Sequence, residues 1–244
     1  MRASKGIVDS NTLFGFWPKR KADISLDRLL RLLDENGISK ACTLSAEGIF
    51  YDFIAGNTQT LDACRRHPQL IPVATVNPNR WLGCLDEARR LLGEGVRFFR
   101  FFPQYQEWNI SEAPFRKLLD DVLVPGRAVL MLPAMMGISN IGSLARTVDN
   151  AIIIEGFRYD KLAEAIVIMD EIGNVYIETH IINSPNFVEL LKTEVGVDRL
   201  VFGSYAPLTY LGAALAPIQK ADVSEADKTQ ILGDNLLRIL EGQG

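Results

Sequence analysis

Short apolar, β-branched runs alternate along the chain with segments whose apolar residues recur at helical spacing. The apolar runs fall at residues 6–12, 40–45, 70–77, 96–102, 127–132, 151–155, 174–179 and 199–204. Their mean spacing is about 30 residues, the length of one strand-plus-helix unit. The helical segments between them have readable ends. Ser25 is placed to cap a helix over 26–35, whose Leu26, Leu29, Leu30 and Leu33 form one stripe and which Gly37 ends. Leu85, Ala88, Leu91 and Leu92 form a second stripe ahead of Gly93 and Gly95. Ser111 and Pro114 open a third segment, carrying Phe115, Leu118 and Leu119. Segments 159–172 and 186–195 follow the same plan, and Ser224 is placed to cap a last helix reaching Leu240.

Strands that are apolar on both faces and joined by helices predict a parallel sheet covered by helices. Eight such units in 244 residues predict an α/β fold of one domain over 1–244, a closed (β/α)8 TIM barrel. The alternative is an open doubly wound sheet, but no Gly-x-Gly-x-x-Gly or phosphate-loop motif follows any strand. No linker, charge block or low-complexity stretch interrupts the pattern.

Composition narrows the partners. Hydrophobic residues make up 48% and charged residues 23%, which excludes a disordered or fibrous chain. Lys plus Arg is 26 against 30 for Asp plus Glu, a net charge of −4. That argues against nucleic-acid binding by bulk electrostatics. No apolar run approaches the length of a membrane span. The start of the chain, Met1 to Gly6, lacks the long apolar core of a signal peptide. Cys42, Cys64 and Cys84 are odd in number and without metal-ligand spacing, so they read as reduced packing residues. The expectation is a cytoplasmic protein with a small-molecule ligand and neither a nucleic-acid nor a membrane partner.

Barrel enzymes keep their chemistry at the C-terminal ends of the strands, and strand parity says which residues face the axis. On the first strand Asp9, Asn11 and Leu13 share a face; on the seventh, Tyr176, Glu178 and His180 do. Arg100 sits among Phe98, Phe99, Phe101 and Phe102, Glu155 ends the run Ile152-Ile153-Ile154, and Tyr205 follows Phe202-Gly203-Ser204. Asp9, Asn11, Arg100, Glu155, Glu178, His180 and Tyr205 are thus expected to converge at one mouth. Charges there need partners, so Arg100 is expected to pair with Glu155 or Glu178. His180 beside carboxylates suits proton transfer. Phe14-Gly15-Phe16-Trp17-Pro18 is expected over the mouth as a lid, an apolar wall or a subunit contact. Gln104, Tyr105, Glu107, Trp108 and Asn109 form a loop able to recognise a ligand, and Met135 and Met136 read as filler. Lys19, Arg20 and Lys21 read as a solvated loop, and His67 as a helix-terminal residue before Pro68.

At the same strand ends the sequence resembles the amidohydrolase superfamily, in particular the amidohydrolase-2 group of metal-dependent hydrolases and decarboxylases. Ile7-Val8-Asp9-Ser10-Asn11-Thr12-Leu13 resembles that group's first strand, Ile-Ile-Asp-x-His-x-His. Asn57 with its helix, His67-Pro68 and the run from Pro72 to Pro78 resemble its second helix and third strand. Gly95 to Arg100 and Asn174 to Thr179 resemble its fourth and seventh strands. Gly196 to Ser204, Pro207, Ser224 to Lys228 and Ile231-Leu232-Gly233-Asp234-Asn235 resemble its last strand and closing helix.

The resemblance implies a zinc-type ion held by two histidines on strand one, one each on strands five and six, and an aspartate on strand eight. The matching positions here are Asn11 and Leu13, Leu132 (or Pro133 one register on), Glu155 and Tyr205. The implied chemistry is hydrolysis of a C–O or C–N bond, or decarboxylation, of a small organic acid or ring compound. With its ligands replaced, the barrel is expected to work without a cofactor. His180, Glu178 and Glu155 would be catalytic; Arg100, Asn11, Tyr205 and Asp9 would bind substrate, Arg100 through a carboxylate. The one metal set left is Glu155, Glu178 and His180, whose ligands suit Mn²⁺, Fe²⁺ or Mg²⁺. The competing expectation is a pseudoenzyme, a non-catalytic small-molecule-binding or scaffold barrel. A homo-oligomer is the assembly the resemblance implies.

Overall fold

Each apolar run becomes a strand: β1 (Ile7–Phe14), β2 (Ile38–Ser45), β3 (Leu70–Ala74), β4 (Phe98–Arg100), β5 (Val129–Pro133), β6 (Ile152–Glu155), β7 (Val175–Glu178) and β8 (Leu200–Val201). The computed structural model describes residues 6–242. Residues 1–5, on which the reading of the N-terminus rests, lie outside the described residues. The strands pair in chain order, all parallel. The ring closes between the last strand and the first. Ser10 N–H donates to Phe202 O at 3.0 Å, Tyr205 N–H to Asn11 O at 2.7 Å and Leu13 N–H to Ala206 O at 3.0 Å. The molecule is a single-domain (β/α)8 TIM barrel, and the open sheet is excluded.

Alternation sorts the core into two layers. Val73, Phe98, Met131, Ile153, Tyr176 and Val201 pack together within the ring. Their strand neighbours Ala74, Phe99, Leu130, Ile154, Ile177 and Leu200 pack outward with helix residues such as Leu29, Leu91 and Ile168. On β1 the expected shared face of Asp9, Asn11 and Leu13 is corrected by a register shift between Asp9 and Thr12. This bulge puts Val8 and Leu13, five residues apart, in the same inner layer. The ladders of β3, β4 and β8 are shorter than their apolar runs. Past the end of β4, Phe101 packs in the outer layer and still donates its N–H to Met131 O at 3.1 Å, and Phe102 packs in the inner layer.

Side chains fix the helices as their ends suggested. Ser25 caps Leu26–Glu35 by accepting from Arg28 N–H, and Ser224 forms a capping box with Asp227. The segment after Ser111 starts instead past Glu112, whose side chain makes no cap bond, and runs Ala113–Leu118. His67 ends the helix Phe53–Arg66. Asn57 on that helix locks it to the rim of β3: its amide accepts from Thr75 N–H at 3.1 Å and donates to Thr75 O at 2.9 Å. Asn235 does the same for the closing helix, donating to Val197 O and Leu200 O at 2.9 and 2.8 Å. Among the described residues no helix is long and apolar enough to cross a membrane.

The helix Phe53–Arg66 also needs a glycine where it crosses Glu47–Phe50, because a Cβ at Gly56 would overlap the backbone of Gly48. A Cβ at Gly93 would meet nothing within 4 Å. Gly56→Ala is expected to destabilise the protein by about 1–3 kcal/mol. Gly93→Ala is expected to be neutral or slightly stabilising. Chemical denaturation of both variants measures the contrast.

Candidate active site

Four strands deliver charged groups to one rim. Arg100 ends β4 and Glu155 ends β6; two strands apart in the ring, they meet with Nη2 2.6 Å from Glu155 Oε2. Both are buried, Arg100 to 1% exposure. The guanidinium lies over the Phe102 ring at 4.7 Å and the Tyr205 ring at 5.1 Å. Its Nε and Nη1 have no hydrogen-bond partner among the described residues. Asn11 donates from Nδ2 to the same Glu155 oxygen at 3.4 Å.

The second pair is on β7. Glu178, fully buried, faces His180 with both oxygens: Oε1 accepts the His180 backbone N–H at 2.8 Å, and Oε2 lies 2.5 Å from Nδ1. Nε2 of the imidazole is thereby the nitrogen left for other chemistry. Burial opposes a charge on His180, but Glu178, by charge and hydrogen bond, and Glu155 outweigh it and hold its pKa above the usual histidine range. Burial also raises the Glu155 carboxyl, against the lowering pull of Arg100 and His180. Gly203 is what lets the dyad fit, since a Cβ there would collide with the Glu178 carboxylate.

Asp9 is a third carboxyl, fully buried at the β1–β8 seam. Its Oδ1 accepts N–H bonds from Asn11 at 2.9 Å and Ser204 at 3.0 Å, while Oδ2 is unpartnered among the described residues. Burial pushes its pKa up to about 7 despite those bonds.

A cavity of about 220 Å³ opens at the rim, lined by Glu155, His180, Tyr205 and Gln104 on one side and Pro133, Ala134, Met135 and Gly156 on the other. Met135 stands at its edge, 71% exposed. Of the expected site residues, His180, Glu155 and Tyr205 reach this cavity; Glu178 lies behind His180, and Arg100, Asn11 and Asp9 are buried away from it. The Glu155 carboxylate takes the place beside Arg100 that a substrate carboxylate was expected to fill. The pairing of Pro133 with Glu155 makes Pro133, not the outward Leu132, the β5 residue of the rim. Tyr205 has a left-handed backbone, φ 59°, and stacks at 30° on His180 with ring centres 5.2 Å apart.

The flanking segments divide. Trp17 is buried, edge-on to Phe50, Tyr105 and Tyr205, the last of which lines the cavity. Phe16 beside it is exposed. From the loop after β4, Gln104 reaches the cavity, but Trp108 is corrected to a packing residue, stacked on Phe115 at 4.7 Å. Sequence reasoning did not single out Gln104 within that loop, nor Gly156 and Gly203; their only signal is a position just past a strand end.

Among the described residues no three His, Cys, Asp or Glu side chains are grouped to hold a metal ion. At the positions where the resemblance puts ligands, Leu13 and Pro133 have no donor atom, and Glu155 already faces a guanidinium. In the alternative set, both Glu178 oxygens face His180. The residues present do not fit a divalent ion.

Comparison with known proteins agrees with the fold. The amidohydrolase family model matches residues 17–241. A search of curated proteins finds no match. Among solved structures, a dihydroxybenzoic acid decarboxylase from Polaromonas sp. JS666, with bound manganese and the inhibitor 2-nitroresorcinol, superposes with a TM-score of 0.81 at 15% identity, covering 97% of each chain. The 2,6-dihydroxybenzoate decarboxylase from Rhizobium gives 0.77 at 16% identity, covering 98% of this chain and 99% of that one. The 5-carboxyvanillate decarboxylase from Sphingomonas paucimobilis gives 0.74 at 14% identity, over 96% and 98%.

The raised pKa of Asp9 has a defined sign. Its neutral form contributes stability that is full below about 3.8 and is lost as pH rises through about 7. Asp9→Asn keeps an acceptor for both N–H groups and cannot ionise. The fall in unfolding free energy between pH 4 and pH 7 is expected to flatten in this variant, measured by denaturation across that range. Gly203→Ala is expected to displace Glu178 and to lower the His180 pKa, read from its imidazole resonances.

Proposed function

The chain belongs to the amidohydrolase family, and from that premise we propose that it is a metal-free hydrolase or decarboxylase of a small organic acid or ring compound. The observation that carries this is the Glu178–His180 pair, with Nδ1 fixed by a carboxylate and Nε2 left for a ligand in the rim cavity. A carboxylate that fixes one imidazole nitrogen sets the tautomer and supports the charged form, the arrangement general acid–base catalysis requires. The cavity is smaller than the usual drug-sized pocket, which favours a ligand of about one ring.

Protonated His180 is a proton donor. In hydrolysis a water oxygen bonds to the substrate carbon, the C–O or C–N bond breaks, and the leaving atom takes the proton from Nε2; the proton lost by water restores His180. In decarboxylation the C–C bond breaks, CO₂ leaves, and the electron pair left on carbon takes that proton, which solvent replaces. Glu155 offers an acceptor for hydroxyl or N–H groups on the ligand, and the Tyr205 ring, Pro133 and Met135 offer an apolar face. Arg100, Asn11 and Asp9 act from beneath by fixing the rim.

A second reading, a non-catalytic binding or scaffold barrel, draws on the same geometry: Tyr205 and Phe102 cover Arg100, and Glu178 does not reach the cavity. Turnover decides between them. Products from a panel of ring carboxylic acids, esters, amides and lactones are to be followed by mass spectrometry. His180→Gln is expected to lower kcat/KM about 100-fold or more with the fold intact. Turnover unaffected by that change contradicts the assignment, and ligand binding without turnover favours the second reading. Because Glu178 raises the His180 pKa, Glu178→Gln is expected to shift the alkaline limb of the activity profile to lower pH.

A further inference from the structure

Three of the positions at which the family resemblance places metal ligands surround one side chain of this protein. Glu155 Oε2 is 2.6 Å from Arg100 Nη2, Tyr205 lays its ring over the guanidinium at 5.1 Å, and Asn11 donates to the Glu155 oxygen that Arg100 holds. The remaining two are Leu13, in the inner apolar layer, and Pro133, paired with Glu155 across the β5–β6 ladder. Neither supplies a donor. Arg100 approaches the same point from β4, between Phe102 and Tyr205, and is buried to 1% exposure.

We propose that Arg100 is the resident cation of this barrel mouth, a fixed guanidinium that neutralises Glu155 in place of a metal ion and makes the site refuse divalent cations. A buried carboxylate requires a positive partner, and several kcal/mol per ion are lost without one. A divalent ion approaching Glu155 meets a guanidinium already in contact with it, under two aromatic rings. The planar group needs no open coordination positions and stacks on those rings, which an ammonium or a hydrated ion does not. Arg100 acts here as a positioning residue. It holds the Glu155 carboxylate at the cavity wall beside His180, and it does not itself reach the cavity.

This deepens the metal-free reading above, but it concerns only the cation, and turnover enters neither of its tests. In the first, wild-type protein prepared without chelator is dialysed against MnCl₂ and, separately, ZnCl₂, and its metal content is measured. Content well below one equivalent is expected; one equivalent that is lost in Glu155→Gln overturns the proposal. The second is a double-mutant cycle read by Tm. Arg100→Met alone leaves Glu155 buried without its partner and is expected to lower Tm by about 10 °C. Arg100→Met combined with Glu155→Gln removes both charges and is expected to recover most of that loss. Should the single Met variant fail to fold, recovery of a folded double variant supports the pairing. Effects that simply add overturn it.

Discussion

A carboxylate and a guanidinium cannot both sit dry inside a barrel unless they face each other, and the contact between Arg100 and Glu155 is what lets this rim exist. Closure of the sheet brings it about. β4 and β6 are two strands apart, and only a ring of parallel strands presents their C-terminal ends across one opening. Beside that pair, Glu178 is matched to His180, and Asp9 is a third carboxyl whose burial favours its neutral form. The two pairs lie side by side, Arg100 against Glu155 and His180 against Glu178.

The Asn57 and Asn235 amides, the capped closing helix and the Asp9 seam hold the strand ends where the fold requires them. Family membership and structural likeness to decarboxylases at 14–16% identity accordingly describe the frame. The chemistry has to be argued from the residues inside it.

Much of the frame was legible in the sequence because it is written in local periodicity. Ser25, Gly37 and Ser224 mark helix ends through hydrogen bonds that involve only neighbouring residues. That Arg100 would pair with Glu155 or Glu178 followed from the cost of buried charge; the choice of Glu155 came only with the structure. Three things could not be read. The bulge in β1 depends on pairing with β2, so simple alternation misassigned that strand's face. The burial of Arg100 between Phe102 and Tyr205 joins the end of β4 to a residue past β8 with a left-handed backbone. Trp108 looked like a loop aromatic available to ligand, whereas Phe101 and Phe115 draw it into the outer layer.

In the proposed function the rim moves a proton through His180 with no ion beside it. Nitrogen-15 NMR of the His180 ring, recorded across pH with and without one equivalent of Mn²⁺, addresses it most directly. Nδ1 is expected to stay protonated throughout, Nε2 to titrate above the usual histidine range, and both signals to stay sharp when Mn²⁺ is added. Paramagnetic broadening of His180 at one equivalent of Mn²⁺, or titration at Nδ1, would contradict it.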